Sequence, residues 1–137
     1  MTKEIYLIHH AQSEANAALD LDDPTFYYDA RITPLGKEQA LITKKKLKNI
    51  DFDLMVCSPL TRTLQTFSLI FPIPITNTII LPLIREQLDH SCDVGRQPSI
   101  LQKEFPHFNF DNVKKFWWNN DITIDNFPIT YSCFAIG

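Results

Sequence analysis

The sequence predicts an α/β fold with three layers, in which helices cover a mostly parallel sheet. Short apolar runs rich in strand-forming residues occur at residues 5–8, 52–57 and 79–81. Two segments of helical character, residues 34–49 and 60–70, lie between them. Strands that alternate with helices in this way favour parallel pairing through right-handed crossovers.

Local signals place the ends of both helices. Thr33 is expected to cap the first helix, since Pro34 follows at the first helical position, where a missing N–H costs nothing. We expect this helix to end near Asn49. Its apolar residues on or near one face are Leu35, Ala40, Leu41 and Leu47. Ser58 and Pro59 are expected to end the second strand and cap the second helix.

The composition is that of a small soluble domain. The chain has 137 residues, a formal net charge of −3, 45% hydrophobic residues and 21% charged residues. An acidic balance argues against a nucleic-acid partner. The N-terminal apolar run is too short for a signal peptide, so we expect a reduced, cytoplasmic protein. The three cysteines, Cys57, Cys92 and Cys133, have no metal-ligand spacing.

The longest uncharged stretch lies between Arg62 and Arg85 and approaches the length of a membrane span. Prolines interrupt it, and residues 76–78 make its middle polar. A helix across these positions would lose hydrogen bonds and clash at each proline ring. We therefore expect a helix end, a loop and a buried strand, and no membrane association.

Two polar motifs follow the first two predicted strands. Residues 10–16 begin with His10, and residues 58–66 contain Arg62 on the first turn of a helix. Ligands of open α/β sheets bind outside the carboxyl ends of the strands, and a helix N-terminus favours anions. An imidazole and a guanidinium at this edge indicate a site for a phosphate-sized anion.

Four segments in order resemble the histidine phosphatase superfamily, whose members are phosphoglycerate mutase-like. Residues 7–16 resemble its Leu-Ile-Arg-His-Gly/Ala-x-Ser-x-x-Asn signature, and residues 29–36 resemble its Leu-Thr-Pro-Leu-Gly helix start. Residues 58–66 resemble its second arginine motif, and residues 83–86 its acidic segment. The resemblance extends from residue 4 to about residue 95 and faintly to residue 118. We therefore assign residues 1–118 to an incomplete domain of this fold and leave residues 119–137 as an unassigned tail.

The resemblance implies a set of roles. His10 would attack phosphorus and become phosphohistidine, and Glu86 would protonate the leaving oxygen. Arg62 would hold the phosphoryl oxygens, and Ser13 and Asn16 would help to shape the pocket. Cationic side chains would neutralise the phosphoryl group, so no metal and no cofactor is expected.

Two features depart from the family pattern. His9 stands where the family has an arginine, and no histidine after His107 can serve as its second pocket histidine. An imidazolium at His9 could replace the arginine in part. Losing one preorganised stabiliser of developing charge costs about 100- to 1,000-fold in rate. The sequence thus indicates a truncated member that lacks the C-terminal part of the fold, with weakened activity and an unpaired sheet edge.

Several alternatives stay open. His9 could be a neutral filler, Glu86 could pair with Arg85 in solvent, and residues 93–95 could be a plain turn. Trp117 and Trp118 could pack at the edge of the core or line a cleft. For function, phosphomonoester hydrolysis is favoured over mutase action, with a small-molecule substrate. The alternative is an inactive relative that binds phosphorylated ligands or proteins. Substrate identity and oligomeric state are left open.

Overall fold

A computed structural model describes residues 2–20, 27–71, 77–119 and 133–136. Four strands and four α-helices are formed within these ranges. In chain order they are β1 (Ile5–Ile8), α1 (Glu14–Asp20), α2 (Pro34–Leu47), β2 (Leu54–Cys57), α3 (Thr61–Ile70), β3 (Thr78–Ile80), α4 (Pro98–Glu104) and β4 (Cys133–Ile136). Single 3₁₀ turns at Pro82–Ile84 and Ser91–Asp93 connect β3 to α4.

The four strands form one sheet in the order β1-β4-β2-β3. β2 and β3 pair in parallel, with Val56 opposite Ile79. β4 runs antiparallel to both of its neighbours, so that β1, β2 and β3 all point the same way. The α/β class and the mostly parallel direction are therefore confirmed. Direct parallel pairing is found between β2 and β3, whereas β4 separates β1 from β2.

β4 is a strand that the sequence analysis did not predict, and β1 and β3 are the outer strands of the described sheet. Residues 133–136 come from the tail that the sequence left unassigned, and they pair with β1 on one side and β2 on the other. A four-residue apolar run carries too little periodicity to be distinguished from a loop. Its strand conformation depends on long-range partners for its backbone groups, which no local pattern records.

The start of α2 agrees with its sequence signals. Thr33 Oγ1 accepts a hydrogen bond from Gly36 N at 3.0 Å, and Pro34 occupies the first turn. The predicted apolar face is only partly buried. Ala40 is buried, whereas Leu35 and Leu41 are exposed. The helix packs against α3, and its buried residues are the small Gly36 and Ala40.

α3 begins differently from the prediction. Ser58 was expected to cap it, but the N-cap residue is Leu60, and Ser58 Oγ accepts only a long 3.4 Å bond from Leu60 N. The capping carboxylate comes from Asp29, which accepts from Thr61 N at 2.7 Å and from Thr61 Oγ1 at 2.5 Å. A carboxylate suits this position because the helix N-terminus is partly positive. Burial raises the pKa of Asp29, and Arg96 pairs with it at 3.0 Å.

The core lies against α3. Leu64 and Phe67 are fully buried, and the Phe67 ring meets Phe71 and Phe108 at centroid distances of 4.6 and 5.4 Å. Trp117 is also buried, and its indole N–H donates to Arg96 O at 2.8 Å. Trp117 therefore packs in the core and does not line a cleft.

In the part of the chain that the structure describes, no helix has the length and apolar character to cross a membrane.

Gly36 holds the loop after β1 against α2, which gives a stability prediction. A Cβ at this position would lie 2.4 Å from Gln12 O and 3.2 Å from Ile32 Cβ. We expect Gly36→Ala to lower the free energy of unfolding by about 1–3 kcal/mol, because the most crowded atom, Gln12 O, belongs to the backbone. Urea titration measures this. Lys37→Ala, an exposed position on the same helix, should change stability by less than about 0.5 kcal/mol. A more stable Gly36→Ala protein, as helix propensity alone would give, would contradict the close contact.

Candidate active site

β1 and α3 bring His10 and Arg62 together at one end of the sheet. His10 follows β1 by two residues, and Arg62 lies on the first turn of α3. Both side chains are 2% exposed. Arg62 Nε donates to His10 Nε2 at 3.2 Å. Thr66 ties the two elements, since its hydroxyl accepts from Ala11 N at 3.0 Å and donates to Arg62 O at 2.7 Å.

The buried guanidinium is surrounded by acceptors. One terminal nitrogen donates to Cys92 O at 2.8 Å. The other donates to Asp93 Oδ1 at 3.0 Å and to Glu86 Oε2. A buried charge is costly unless it is paired and hydrogen-bonded, and these contacts meet that requirement. Residues 93–95 are therefore more than a turn, because Asp93 is a buried partner of Arg62.

The hydrogen bonds of His10 fix its tautomer. Nδ1 lies 2.7 Å from Ala11 O, and a carbonyl can only accept, so Nδ1 carries the proton. Nε2 is then an acceptor, which agrees with the Nε–H of Arg62 directed at it. The lone pair of Nε2 is the nucleophilic electron pair of a neutral imidazole. The ring is thus oriented with this pair toward Arg62 and Glu86.

Glu86 bridges the cation and the imidazoles. Oε2 binds Arg62, while Oε1 lies 3.5 Å from His10 Nε2 and 3.9 Å from His9 Nε2. The contact with His10, followed by the charge of Arg62, lowers the pKa of the Glu86 carboxyl to about 2. The alternative of a solvated pair with Arg85 is excluded. Arg85 instead donates to the carbonyls of Trp118 and Asn119 at 3.4 and 3.3 Å.

His9 forms the open side of the site. Its side chain is 59% exposed, and its ring lies 4.3 Å from the His10 ring, centroid to centroid. Nδ1 donates to His10 O at 2.8 Å, which turns Nε2 toward Glu86. His9 is therefore a member of the site, and its contact with a phosphate stays a prediction.

Ser13 and Asn16 serve the turn between β1 and α1. Asn16 Oδ1 accepts from Ser13 N at 3.0 Å and from Ser13 Oγ at 2.9 Å, while Ser13 Oγ accepts from Asn16 N at 3.2 Å. Within the described ranges these side chains hydrogen-bond to each other and not to His10 or Arg62. Their predicted role in phosphate binding stays a prediction.

Comparison with known proteins identifies the family of the chain. The family model of the histidine phosphatase superfamily (branch 1) matches residues 5–119, and the chain belongs to that superfamily. A probable phosphatase of Schizosaccharomyces pombe is 27% identical over 119 residues, which are 79% of this chain and 52% of the relative. No solved structure matches the chain significantly.

Two further relatives match shorter parts. A phosphoglycerate mutase-like protein of Arabidopsis thaliana is 33% identical over 72 residues, 47% of this chain and 27% of that protein. The mitochondrial serine/threonine-protein phosphatase PGAM5 of Mus musculus is 32% identical over 88 residues, 62% of this chain and 28% of that protein. The chain spans about half or less of the length of these relatives.

The lowered pKa of Glu86 predicts how stability depends on pH. A carboxyl whose folded pKa is about 2 and whose ordinary value is 4.5 stabilises the fold above pH 4.5 and loses this effect as pH falls toward 2. We expect Glu86→Gln to be less stable than the natural protein at pH 7 by about 2 kcal/mol, with the difference shrinking between pH 5 and pH 3. Urea titrations across this range measure it.

The matched control for that series is Glu38→Gln, which removes an exposed carboxylate from α2. Its stability difference from the natural protein should stay near zero and constant with pH. A Glu86→Gln difference that does not change between pH 7 and pH 3 would show that Glu86 is not held by Arg62 and His10 in solution.

Proposed function

We propose that this protein transfers a phosphoryl group from a small phosphomonoester to His10 Nε2 and then to water. The observation that carries the proposal is the arrangement of His10. Its tautomer leaves a lone pair on Nε2, and that atom lies 3.2 Å from the Nε of a buried arginine. A nucleophile beside a fixed cation is what attack on an anionic phosphorus centre requires.

In the described state a carboxylate occupies the place that a phosphoryl group needs. Glu86 Oε2 and Asp93 Oδ1 both accept from the same terminal nitrogen of Arg62. Asp93 is buried, whereas the Glu86 side chain is 28% exposed and borders the open side. Glu86 is therefore the ligand that moves. An incoming phosphoryl oxygen replaces its Oε2 on the guanidinium, so that one anion exchanges for another and Arg62 is never left unpaired.

This exchange allows Glu86 to take up a proton. With a pKa of about 2 the carboxyl is ionised at neutral pH while it touches His10 and Arg62. Displacement by a phosphate dianion removes the favourable contacts and adds a nearby negative charge, and both effects raise the pKa of a carboxyl. Glu86 then takes a proton from solvent. It delivers that proton to the leaving oxygen as the P–O bond breaks and the bond from phosphorus to His10 Nε2 forms.

The proposed rate is low. His9 stands where the family has an arginine, and the family's second pocket histidine has no counterpart in the sequence. Each missing stabiliser is expected to cost about 100- to 1,000-fold, with the two losses less than additive if they act together. The second candidate function is phospho-ligand binding without turnover. Its support is that four N–H groups of Arg62 are already directed at protein acceptors.

A trapping experiment separates turnover from binding. The protein is mixed with p-nitrophenyl phosphate, quenched in alkali and analysed by mass spectrometry for phosphohistidine. We expect one phosphoryl group on His10, absent from His10→Ala and present in His107→Ala, which removes an exposed histidine outside the site. Arg62→Lys should reduce the label strongly, since an ammonium cannot reproduce the fork geometry. Binding of inorganic phosphate without any label on folded protein would support the second candidate.

The role of Glu86 gives a separate prediction based on the leaving group. p-Nitrophenolate leaves without a proton, whereas an alkoxide needs one. We expect Glu86→Gln to slow phosphorylation by an alkyl phosphate by about 100-fold or more, and to slow phosphorylation by p-nitrophenyl phosphate much less. Single-turnover rates of His10 labelling measure both. Equal losses with the two substrates would show that Glu86 positions the site and does not donate a proton.

A further inference from the structure

Three side chains with metal-binding atoms converge on the open side of the site. One ligand atom from each of His9, His10 and Glu86 lies within 4.8 Å of the others. We propose that these residues bind one divalent transition-metal ion of the zinc class, with both Nε2 atoms and Glu86 Oε1 as ligands. From the sequence we expected no metal, because cationic side chains would neutralise the phosphoryl group and the cysteines lack ligand spacing.

Both histidines are already in the tautomer that a metal needs. His9 Nδ1 donates to His10 O at 2.8 Å, and His10 Nδ1 donates to Ala11 O at 2.7 Å. In the neutral form of each imidazole, Nε2 is then the unprotonated nitrogen. Histidines that ligate metals almost always donate their other ring N–H to a carbonyl or carboxylate, which fixes the ring and its tautomer. Here two successive backbone carbonyls do this for two successive imidazoles.

Two of the three ligand separations are near those around a tetrahedral ion. Ligands about 2.1 Å from a tetrahedral centre lie about 3.4 Å from each other. Glu86 Oε1 is 3.5 Å from His10 Nε2 and 3.9 Å from His9 Nε2. The second distance needs a small rotation of the His9 ring, which its exposure allows. The fourth position faces the open side, where water can complete the coordination.

The positive charge of Arg62 would repel a metal cation at this site. Its Nε–H must release His10 Nε2, but its terminal nitrogen keeps Glu86 Oε2 and so orients the carboxylate whose other oxygen binds the ion. Glu86 and Asp93 contribute two negative charges against the one positive charge of Arg62. With neutral imidazoles the cluster has a formal charge of −1. Its electrostatics therefore favour a dication.

The ligand set selects the class of ion. Two imidazole nitrogens and one carboxylate oxygen suit Zn²⁺ and its neighbours, whereas Mg²⁺ and Ca²⁺ prefer oxygen ligands throughout. The ion would also occupy the Nε2 lone pair of His10. Zn²⁺ is therefore an inhibitor of phosphoryl transfer, a consequence that rests on the proposed function. The binding itself does not.

Metal binding is tested by experiments that do not require phosphoryl-transfer activity. The folded protein is titrated with Zn²⁺ against a chromophoric chelator, and with Co²⁺ while its visible absorption is recorded. We expect one ion per chain and an intense tetrahedral Co²⁺ spectrum. His9→Ala should weaken Zn²⁺ binding by more than about 100-fold, beyond the effect of losing an outer-shell partner. Because His9 is exposed, circular dichroism should show an unchanged fold.

Control variants identify the ligands. His107→Ala and Cys92→Ser should bind Zn²⁺ as the natural protein does, since neither belongs to the cluster. No binding by the natural protein, unchanged binding by His9→Ala, or binding lost in His107→Ala or Cys92→Ser would each overturn the proposal. Labelling of His10 from p-nitrophenyl phosphate should then fall with Zn²⁺ in the natural protein but not in His9→Ala. An unlabelled His10 in protein that binds Zn²⁺ would contradict the proposed function and leave the metal site intact.

Discussion

The buried guanidinium of Arg62 is the contact on which the rest of the structure depends. It joins α3 to β1 through His10 and to the segment after β3 through Cys92, Asp93 and Glu86. A cation removed from water must be paired, so each of these segments is held where it can supply an acceptor. The position of Arg62 is itself fixed by its neighbour in the chain, because Asp29 accepts a hydrogen bond from Thr61, the first residue of α3. Fold and site thus share one set of contacts, and a change that frees Arg62 would disturb both.

The same contacts explain why Glu86 has two roles that look incompatible. A carboxylate bound to a cation is a poor acid, and its pKa of about 2 shows how firmly the resting site holds it ionised. However, that carboxylate is also the only one of Arg62's described acidic partners that reaches the open side. Asp93, the other carboxylate on Arg62, has a side chain that is only 4% exposed. The two carboxylates therefore have different proposed roles, since Asp93 keeps the guanidinium of Arg62 oriented while Glu86 can leave it.

How much of the fold and of the site could be predicted depends on how far apart along the sequence the contacting residues lie. His10 and Arg62 were found from short motifs, since each lies next to a strand end or helix start that the sequence marks. Glu86 was assigned only from the resemblance of residues 83–86 to the family's acidic segment. Thr33 was recognised as a cap because its partner, Gly36, is three residues away. Asp93 and Asp29 were missed, because their partners lie 31 and 32 residues away and no local pattern records such pairs. β4 was missed for the same reason, as its conformation depends on β1 and β2 together.

His9 shows how one residue can change the chemistry of such a site. A guanidinium carries a permanent positive charge and no lone pair, so beside His10 it can only attract anions. A neutral imidazole removes that charge and adds an unprotonated nitrogen. Around Arg62 the removal leaves two carboxylates against one cation, and the added nitrogen lies 3.9 Å from the carboxylate that also faces His10. In our proposals the same atoms thus form a weaker anion site and a cation site. Since both ligands would need the Nε2 lone pair of His10, the proposed phosphoryl acceptance and the proposed metal binding would exclude each other.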